Sequence, residues 1–495
     1  MMEHSRLHPG VDTGSSSRKT SITVPADAVL PQLPLVLNPE TMKRRFQDHL
    51  STSSDEQSQA AIRDCEIIQV RYKPESSCMV SYRLVIENKA TGTAEEQILC
   101  GRALPEGRSR SQWDTASARA LVQPRFGPPL VYLRDLDMVL WSFPNDRKIH
   151  NLPSAIEATH GTPEFLPNWL ASHLGIEWRI GSTTSHIMHY VGEHTCTVRT
   201  SIELVHPSQN VRRTITLFAK TYYDGEGALT DRVMRQLWES EARRSGRLKM
   251  AQPLAYDEQL KTLWQLGLHG NTLEASNTES QRFSHVLRGA AATVAALHST
   301  PLSHIRLINM ADLLEQLDRV TSMLIHCRPS CQPILAPLAT RLKAQGQLIS
   351  ASPLATLHGD LHLKNLFLTD GDVALIDLDN VCAGPPGLDL GSFFAGLHTW
   401  GMTNHVPPSQ ITRQAQTFLA TYNQQAPWKL EESVVAWFTA LTLVIERAHR
   451  SVTRLKDSQA GMLTPLLHLA NAISMTYPLA PTNGRSVRSR RKRQS

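Results

Sequence analysis

The stretch His358-Gly-Asp-Leu-His-Leu-Lys-Asn365, followed by Ala374-Leu-Ile-Asp377-Leu-Asp379, concentrates side chains that handle protons and metals. Leu354 to Leu357 is apolar enough to enter the motif as a short buried strand. Leu366 to Leu368 reads as a second strand and Val373 to Ile376 as a third. Between the last two lies Thr369-Asp-Gly-Asp372, and Asp-Gly marks a hairpin because both residues tolerate positive φ. A turn at Asp370-Gly371 sets Asn365 beside Ile376 or Asp377. An amide oxygen and a carboxylate converging there are hard ligands suited to Mg2+, which keeps water and takes further oxygens from nucleotide phosphates. Asp360, five residues before Asn365, is left to face an incoming hydroxyl.

A His-Gly-Asp tripeptide alone is a common turn. The compound pattern, with His362, Asn365, the hairpin, Ile376-Asp377 and then Pro386-Gly-Leu-Asp389-Leu-Gly, sets many independent requirements. It resembles the catalytic and metal-binding loops of the aminoglycoside phosphotransferase and choline kinase-like family, relatives of protein kinases. That resemblance implies that Asp360 is the base or orienter of the hydroxyl, and that Asn365 and Asp377 hold Mg2+ against the phosphates of ATP (or GTP). His358 and Asp389 become scaffold residues of the loops. Asp379 shares a face with Asp377 if the strand continues; it then reaches a second metal or the substrate, or else is a solvated loop carboxylate.

Part of the chain occurs twice. Tyr72-Lys-Pro-Glu-Ser-Ser-Cys-Met-Val80 aligns with Tyr190-Val-Gly-Glu-His-Thr-Cys-Thr-Val198, and the offset holds without a gap to Gly107 and Gly225. Trp113-Asp114 then faces Trp238-Glu239, Pro129 to Tyr132 faces Pro253 to Tyr256, and Leu140-Trp141 faces Leu263-Trp264. Each copy reads as β-rich stretches around a polar turn, a helix and two more short strands, the order of a kinase-like small lobe. By the resemblance, Lys220 in Thr216-Leu-Phe-Ala-Lys220 contacts the nucleotide phosphates and Glu239 holds it by an ion pair, with Glu241 a competing acid. The first copy has Arg102 and Asp114 at those positions, and Arg is not an equivalent point charge. One active site is therefore expected, with the first copy a degenerate lobe acting as lid, substrate wall or oligomer contact. Gly192 is the one glycine in His189 to Thr197, a poor glycine loop for phosphate. Trp264 to Gly270 fits the linker between lobes.

The expected fold class is α+β: a two-lobed protein-kinase-like fold with a β-rich small lobe and a helical large lobe, preceded by a degenerate duplicate of the small lobe. The expected division is a disordered leader (1–30), the degenerate repeat (31–155), the working small lobe (160–268), the helical catalytic lobe (269–480) and a basic disordered tail (481–495). Phe283 to His298 is a strong helix pattern that His298 ends as a cap.

A hydrophobic share of 41% and a charged share of 19% are globular values, and no apolar run is long enough to span a membrane. The polar, Ser-rich start lacks a secretory core. Seven scattered cysteines make no disulfide framework, and Cys327-Arg-Pro-Ser-Cys331 has no second Cys or His pair at zinc-site spacing, so a cytoplasmic setting is expected. The net charge of +6 owes much to Arg485, Arg488, Arg490, Arg491, Lys492 and Arg493 near the C-terminus. A frayed, solubilising tail accounts for these, so nucleic acid is not an expected partner. The reading is a phosphotransferase acting on a hydroxyl of a sugar, amino sugar or amino alcohol; the alternative is a nucleotide-binding pseudoenzyme or interaction scaffold.

Overall fold

The structure is a computed structural model and describes residues 24–50, 60–88, 92–275, 280–349, 353–455 and 461–479. The expected basic tail and most of the expected leader lie outside these residues. Val24 to Leu30, counted in that leader, instead packs on the body. Leu30 is fully buried, and the Asp27 carboxylate accepts hydrogen bonds from the Tyr72 hydroxyl and the Glu75 amide, each at 2.8 Å.

Two sheets of one topology follow each other. Helices α1 (Leu33–Val36) and α2 (Pro39–Leu50) precede β1 (Ala60–Lys73), β2 (Ser77–Asn88), β3 (Ala94–Ala103), α3 (Ser109–Ser117), β4 (Leu130–Leu133) and β5 (Met138–Ser142). These strands form an antiparallel sheet ordered β1-β2-β3-β5-β4. After α4 (Leu152–His160) and α5 (Leu166–His173) come β6 (Arg179–Val191), β7 (Thr195–His206), β8 (Val211–Tyr222), α6 (Glu226–Glu239), α7 (Glu241–Arg244), β9 (Pro253–Asp257) and β10 (Thr262–Leu266), ordered β6-β7-β8-β10-β9. The duplication extends to register. Tyr72 pairs with Cys78 and Tyr190 with Cys196; Met79 pairs with Arg102 and Thr197 with Lys220. Both first hairpins turn through a glutamate with positive φ, Glu75 at 54° and Glu193 at 61°.

The helical lobe follows. It holds the short strand β11 (Asn271–Thr272), helices α8 (Ser280–His298), α9 (Met310–Cys327) and α10 (Gln332–Gly346), then strands β12 (Ala355–Leu357), β13 (Leu366–Thr369), β14 (Asp372–Leu375) and β15 (Cys382–Gly384). Helices α11 (Gly387–Thr403), α12 (Pro408–Gln425), α13 (Glu432–Thr442), α14 (His449–Thr453) and α15 (Leu463–Thr476) complete it, with a π-helical turn, Leu443–Ala448, joining α13 to α14. Asn309 opens α9 with a reciprocal capping box to Asp312. α11 crosses α13 closely because Gly387 and Gly391 lie against Phe438, where a Cβ would come within 2.4 and 2.6 Å.

Three apolar layers hold these parts together. Met42 and Phe46 of α2 cover one face of the first sheet. Met79, Cys100 and Phe143 of the first sheet region meet Tyr190, Cys196 and Val198 of the second, so the two sheets share a core. Val233, Met234 and Leu237 of α6 join Leu287, Ala291 and Leu375 of the helical lobe. All seven cysteines are free thiols, and six are buried. Among the described residues no helix is long and apolar enough to cross a membrane.

Candidate functional site

The β13–β14 hairpin turns at Asp370 (φ 48°) and Gly371 (φ 86°), as the Asp-Gly pair requires. Its register sets Leu366 against Leu375, so Asn365 lies beside Ile376, whose amide donates to the Asn365 carbonyl at 3.1 Å. Asn365 is buried, and its side-chain amide donates to the Asp360 carbonyl at 2.9 Å, which leaves the amide oxygen for another partner. Asp377 has left-handed backbone angles, φ 59° and ψ 61°, a strain that persists where the surroundings impose it.

The loop is braced from behind by Asp389. Its carboxylate accepts from the amides of His358 (2.6 Å) and Gly359 (3.0 Å) and meets His298 Nε2 at 3.1 Å. His298 Nδ1 in turn contacts the Tyr422 hydroxyl at 2.8 Å, and Trp428 donates to that hydroxyl at 2.9 Å. Burial pushes Asp389 up, but the hydrogen bond and charge of His298 outweigh it and the carboxyl lies below its ordinary range. His298 is thus a buried link in the brace, correcting its reading as a helix-end cap. His358 contacts the Ile376 carbonyl through Nε2 at 3.0 Å, tying the loop to β14. Gly359 has φ 78°, and a Cβ there would stand 2.1 Å from the Asn380 carbonyl oxygen. Gly359→Ala is expected to destabilise the fold by about 2 kcal/mol or more. Urea unfolding with an unchanged midpoint would show that the loop can relax.

Lys220 of β8 reaches across to this loop. Its Nζ lies 2.7 Å from Asp377 Oδ1 and 2.6 Å from Asp379 Oδ2, and Tyr222 donates to Asp379 at 2.8 Å. Burial would lower the ammonium pKa, but Asp379 and Asp377 raise it above its ordinary value. The expected Lys220–Glu239 ion pair does not form. Glu239 ends α6 on its exposed side, because Val233, Met234 and Leu237 define the buried stripe and position 239 is turned away from it. Glu241 pairs with Arg247 instead. The α6 acid within the field of Lys220 is Glu226, in the first turn, whose carboxyl is raised by burial and by Asp224 and Asp379.

Asp360 lies 3.4 Å from Arg450 and 3.6 Å from His362 Nε2. Burial opposes ionisation, yet His362 and Arg450 hold the carboxyl well below the usual range. Arg450 follows the π-helical turn, and nothing in the sequence pattern marked it for the site.

In the first sheet, Arg102 does not pair with Asp114, which binds Arg110 on α3. Arg102 and Arg147 both fork onto Glu193, at the tip of the β6–β7 hairpin. Asp146 accepts from the Tyr190 hydroxyl (2.6 Å) and from the Glu193 amide (2.9 Å). Cys100 packs on Gly192 so closely that a Cβ there would stand 2.1 Å from its sulfur. The hairpin that precedes Lys220 is therefore gripped by the repeat.

Residues 208–430 match the sequence model of the phosphotransferase enzyme family, the family that the loop motifs resemble. The chain is 40% identical over 58 residues to the methylthioribose kinase of Geobacillus kaustophilus, covering 12% of this chain and 14% of that protein. It is 30% identical over 112 residues to the methylthioribose kinase of Erwinia tasmaniensis, covering 20% and 28%. The chain thus spans less than a third of the length of either relative. Among solved structures, an aminoglycoside phosphotransferase from Streptomyces rimosus aligns with 56% of this chain and 96% of its own at 16% identity, with a TM-score of 0.36.

Proposed function

We propose that this chain is an ATP-dependent phosphotransferase that phosphorylates a hydroxyl of a small molecule, a sugar, amino sugar or amino alcohol being the starting classes. One observation carries the reading: Asp377 and Asp379 converge on Lys220 from the other lobe, while Asn365, beside Ile376, is hydrogen-bonded to Asp360 on the preceding loop. The match of residues 208–430 to the phosphotransferase enzyme family supports it. The proposed division into repeat (31–155), small lobe (160–268) and catalytic lobe (269–480) goes with it, as does a cytoplasmic setting.

The donor set fits Mg2+. Two carboxylates and a free amide oxygen are hard ligands, and the Lys220 ammonium already neutralises the carboxylates where a cation is wanted. Asn365 and Asp377 would hold the ion, which when bound neutralises charge on the phosphate oxygens. Lys220 is the residue placed to bind the nucleotide phosphates, and Glu239, being exposed, is not assigned to that task. Asp360 aims the acceptor hydroxyl at the terminal phosphorus. The new oxygen–phosphorus bond forms as the bond to the leaving diphosphate breaks, and the hydroxyl proton passes to Asp360 or to solvent. Holding the reactants in line supplies most of the rate gain.

Calorimetric titration of MgATP into wild type and Asp377→Ala tests the shared claim before any acceptor is known. Magnesium-dependent binding in wild type, at least about tenfold weaker in the variant, is the expected result. Absence of nucleotide binding in wild type would leave the scaffold reading in its place.

A further inference from the structure

We propose that Arg71 of β1 and Arg454 after α14, together with Arg450 beside Asp360, form a site for an anionic group on the acceptor, a carboxylate or a phosphate monoester. This rests on the phosphotransferase reading and narrows its substrate class.

The placement comes from packing between the repeat and the helical lobe. α14 packs against β1. Leu455, the residue after Arg454, is buried in the first sheet's core with Val70 and Tyr72, which flank Arg71. Strand alternation turns Arg71 away from those two, to the face where Glu193 and Arg102 act on it and where it acts on His194. Arg447 and Arg450 come from the π-helical turn and the helix after it, and such turns often re-aim side chains at functional sites.

Charge at this seam is unbalanced. Arg71, Arg447, Arg450 and Arg454 gather near Asp360 and Glu446, both within 4.0 Å of Arg450; the remaining carboxylate acting on Arg71, Glu193, is already shared by Arg102 and Arg147. Arg447 donates to the Ser392 carbonyl at 3.3 Å, while its Nε is buried without a partner. Among the described residues the side chains of Arg71 and Arg454 have no ion pair and no hydrogen bond. Loss of hydration among these neighbours, together with the charges of Arg450 and Arg71, lowers Arg454 to about 10, although the residue keeps part of its surface open to solvent. Guanidinium groups crowded in this way repel one another until an anion joins them, and their planar forks match carboxylate and phosphate geometry. A cationic acceptor would be repelled.

The anion is assigned to the acceptor because Arg450 touches Asp360, the residue facing the hydroxyl. Lys220, Asp377 and Asp379 satisfy one another on the nucleotide side.

Calorimetry with inorganic phosphate as probe, in the presence and absence of saturating Mg-AMP-PNP, tests the site. Wild type should bind phosphate in both conditions. The Arg71→Gln/Arg454→Gln variant should bind it at least about tenfold more weakly, with Mg-AMP-PNP affinity unchanged. Arg454 is exposed, so Arg454→Gln alone keeps the test readable should the double variant misfold. Wild type that binds no phosphate, or variants that bind it as tightly, would overturn the proposal. So would weakened Mg-AMP-PNP binding in the double variant, which would assign the arginines to nucleotide phosphates. Failure of wild type to bind Mg-AMP-PNP would count against the phosphotransferase reading itself, and the phosphate arm without nucleotide would still decide the anion site.

Discussion

Asp360→Asn is expected to lower kcat by about two to four orders of magnitude while MgATP affinity stays within about twofold of wild type. The substitution keeps the shape and removes the carboxylate of the His358–Asn365 loop, which pairs with Arg450 while Asp377 and Asp379 hold Lys220. Because His362 and Arg450 hold its carboxyl well below the usual range, Asp360 is a weak base. Its main contribution is then orientation of the hydroxyl, with the proton leaving late. The pH dependence follows in sign. A depressed carboxyl is fully ionised above its ordinary pKa and loses its charge only as pH falls through the lower folded value. The acid limb of the rate profile near neutrality should therefore not belong to Asp360. Single-turnover rates against pH, in wild type and variant, check both points; a variant with wild-type kcat would remove Asp360 from the mechanism.

Local chemistry made part of this site legible. Asp370-Gly371 dictates its own turn, and the turn dictates register, so the neighbourhood of Asn365 and Ile376 could be read directly. The duplication was legible too, because strand register preserved the offset between Tyr72 and Tyr190 through to Arg102 and Lys220. Helix phase was not. Glu239 sits near the right place along the chain, but the buried stripe of α6 turns it outward, and it is the first-turn Glu226 that feels the charge of Lys220. Contacts between separate sheets were also out of reach. Arg102 and Glu193 are 91 residues apart, and each alone reads as an ordinary exposed charge. Arg450 depends on a π-helical turn that has no sequence marker of its own.

Glu193→Gln is expected to destabilise the protein by about 3 kcal/mol and to raise KM for ATP about tenfold, with a smaller change in kcat. Glu193 is 7% exposed and its carboxylate is shared by two guanidinium groups, with Arg147 Nε and Nη2 each 2.7 Å from it. Neutralising it leaves the half-buried Arg102 and Arg147 side by side with Asp146 as the nearby counter-charge on Arg147, and breaking one partner of a largely buried ionic cluster costs more than the cluster contributes when intact. Burial would raise this carboxyl, but Arg147 and Arg102 hold it at about 2. Its stabilising contribution is therefore complete above the ordinary glutamate pKa and fades as pH falls through that lowered value. The kinetic effect follows from position. The hairpin tip lies between β6 and β7, and Thr197 of β7 pairs with Lys220, so loosening the tip loosens the strand that carries the phosphate-binding cation. A Glu193→Ala, Arg102→Ala double-mutant cycle in urea separates the pair from its surroundings. No coupling between the two, together with unchanged KM, would show that the repeat merely touches the small lobe; strong coupling would make it the clamp that sets the nucleotide hairpin.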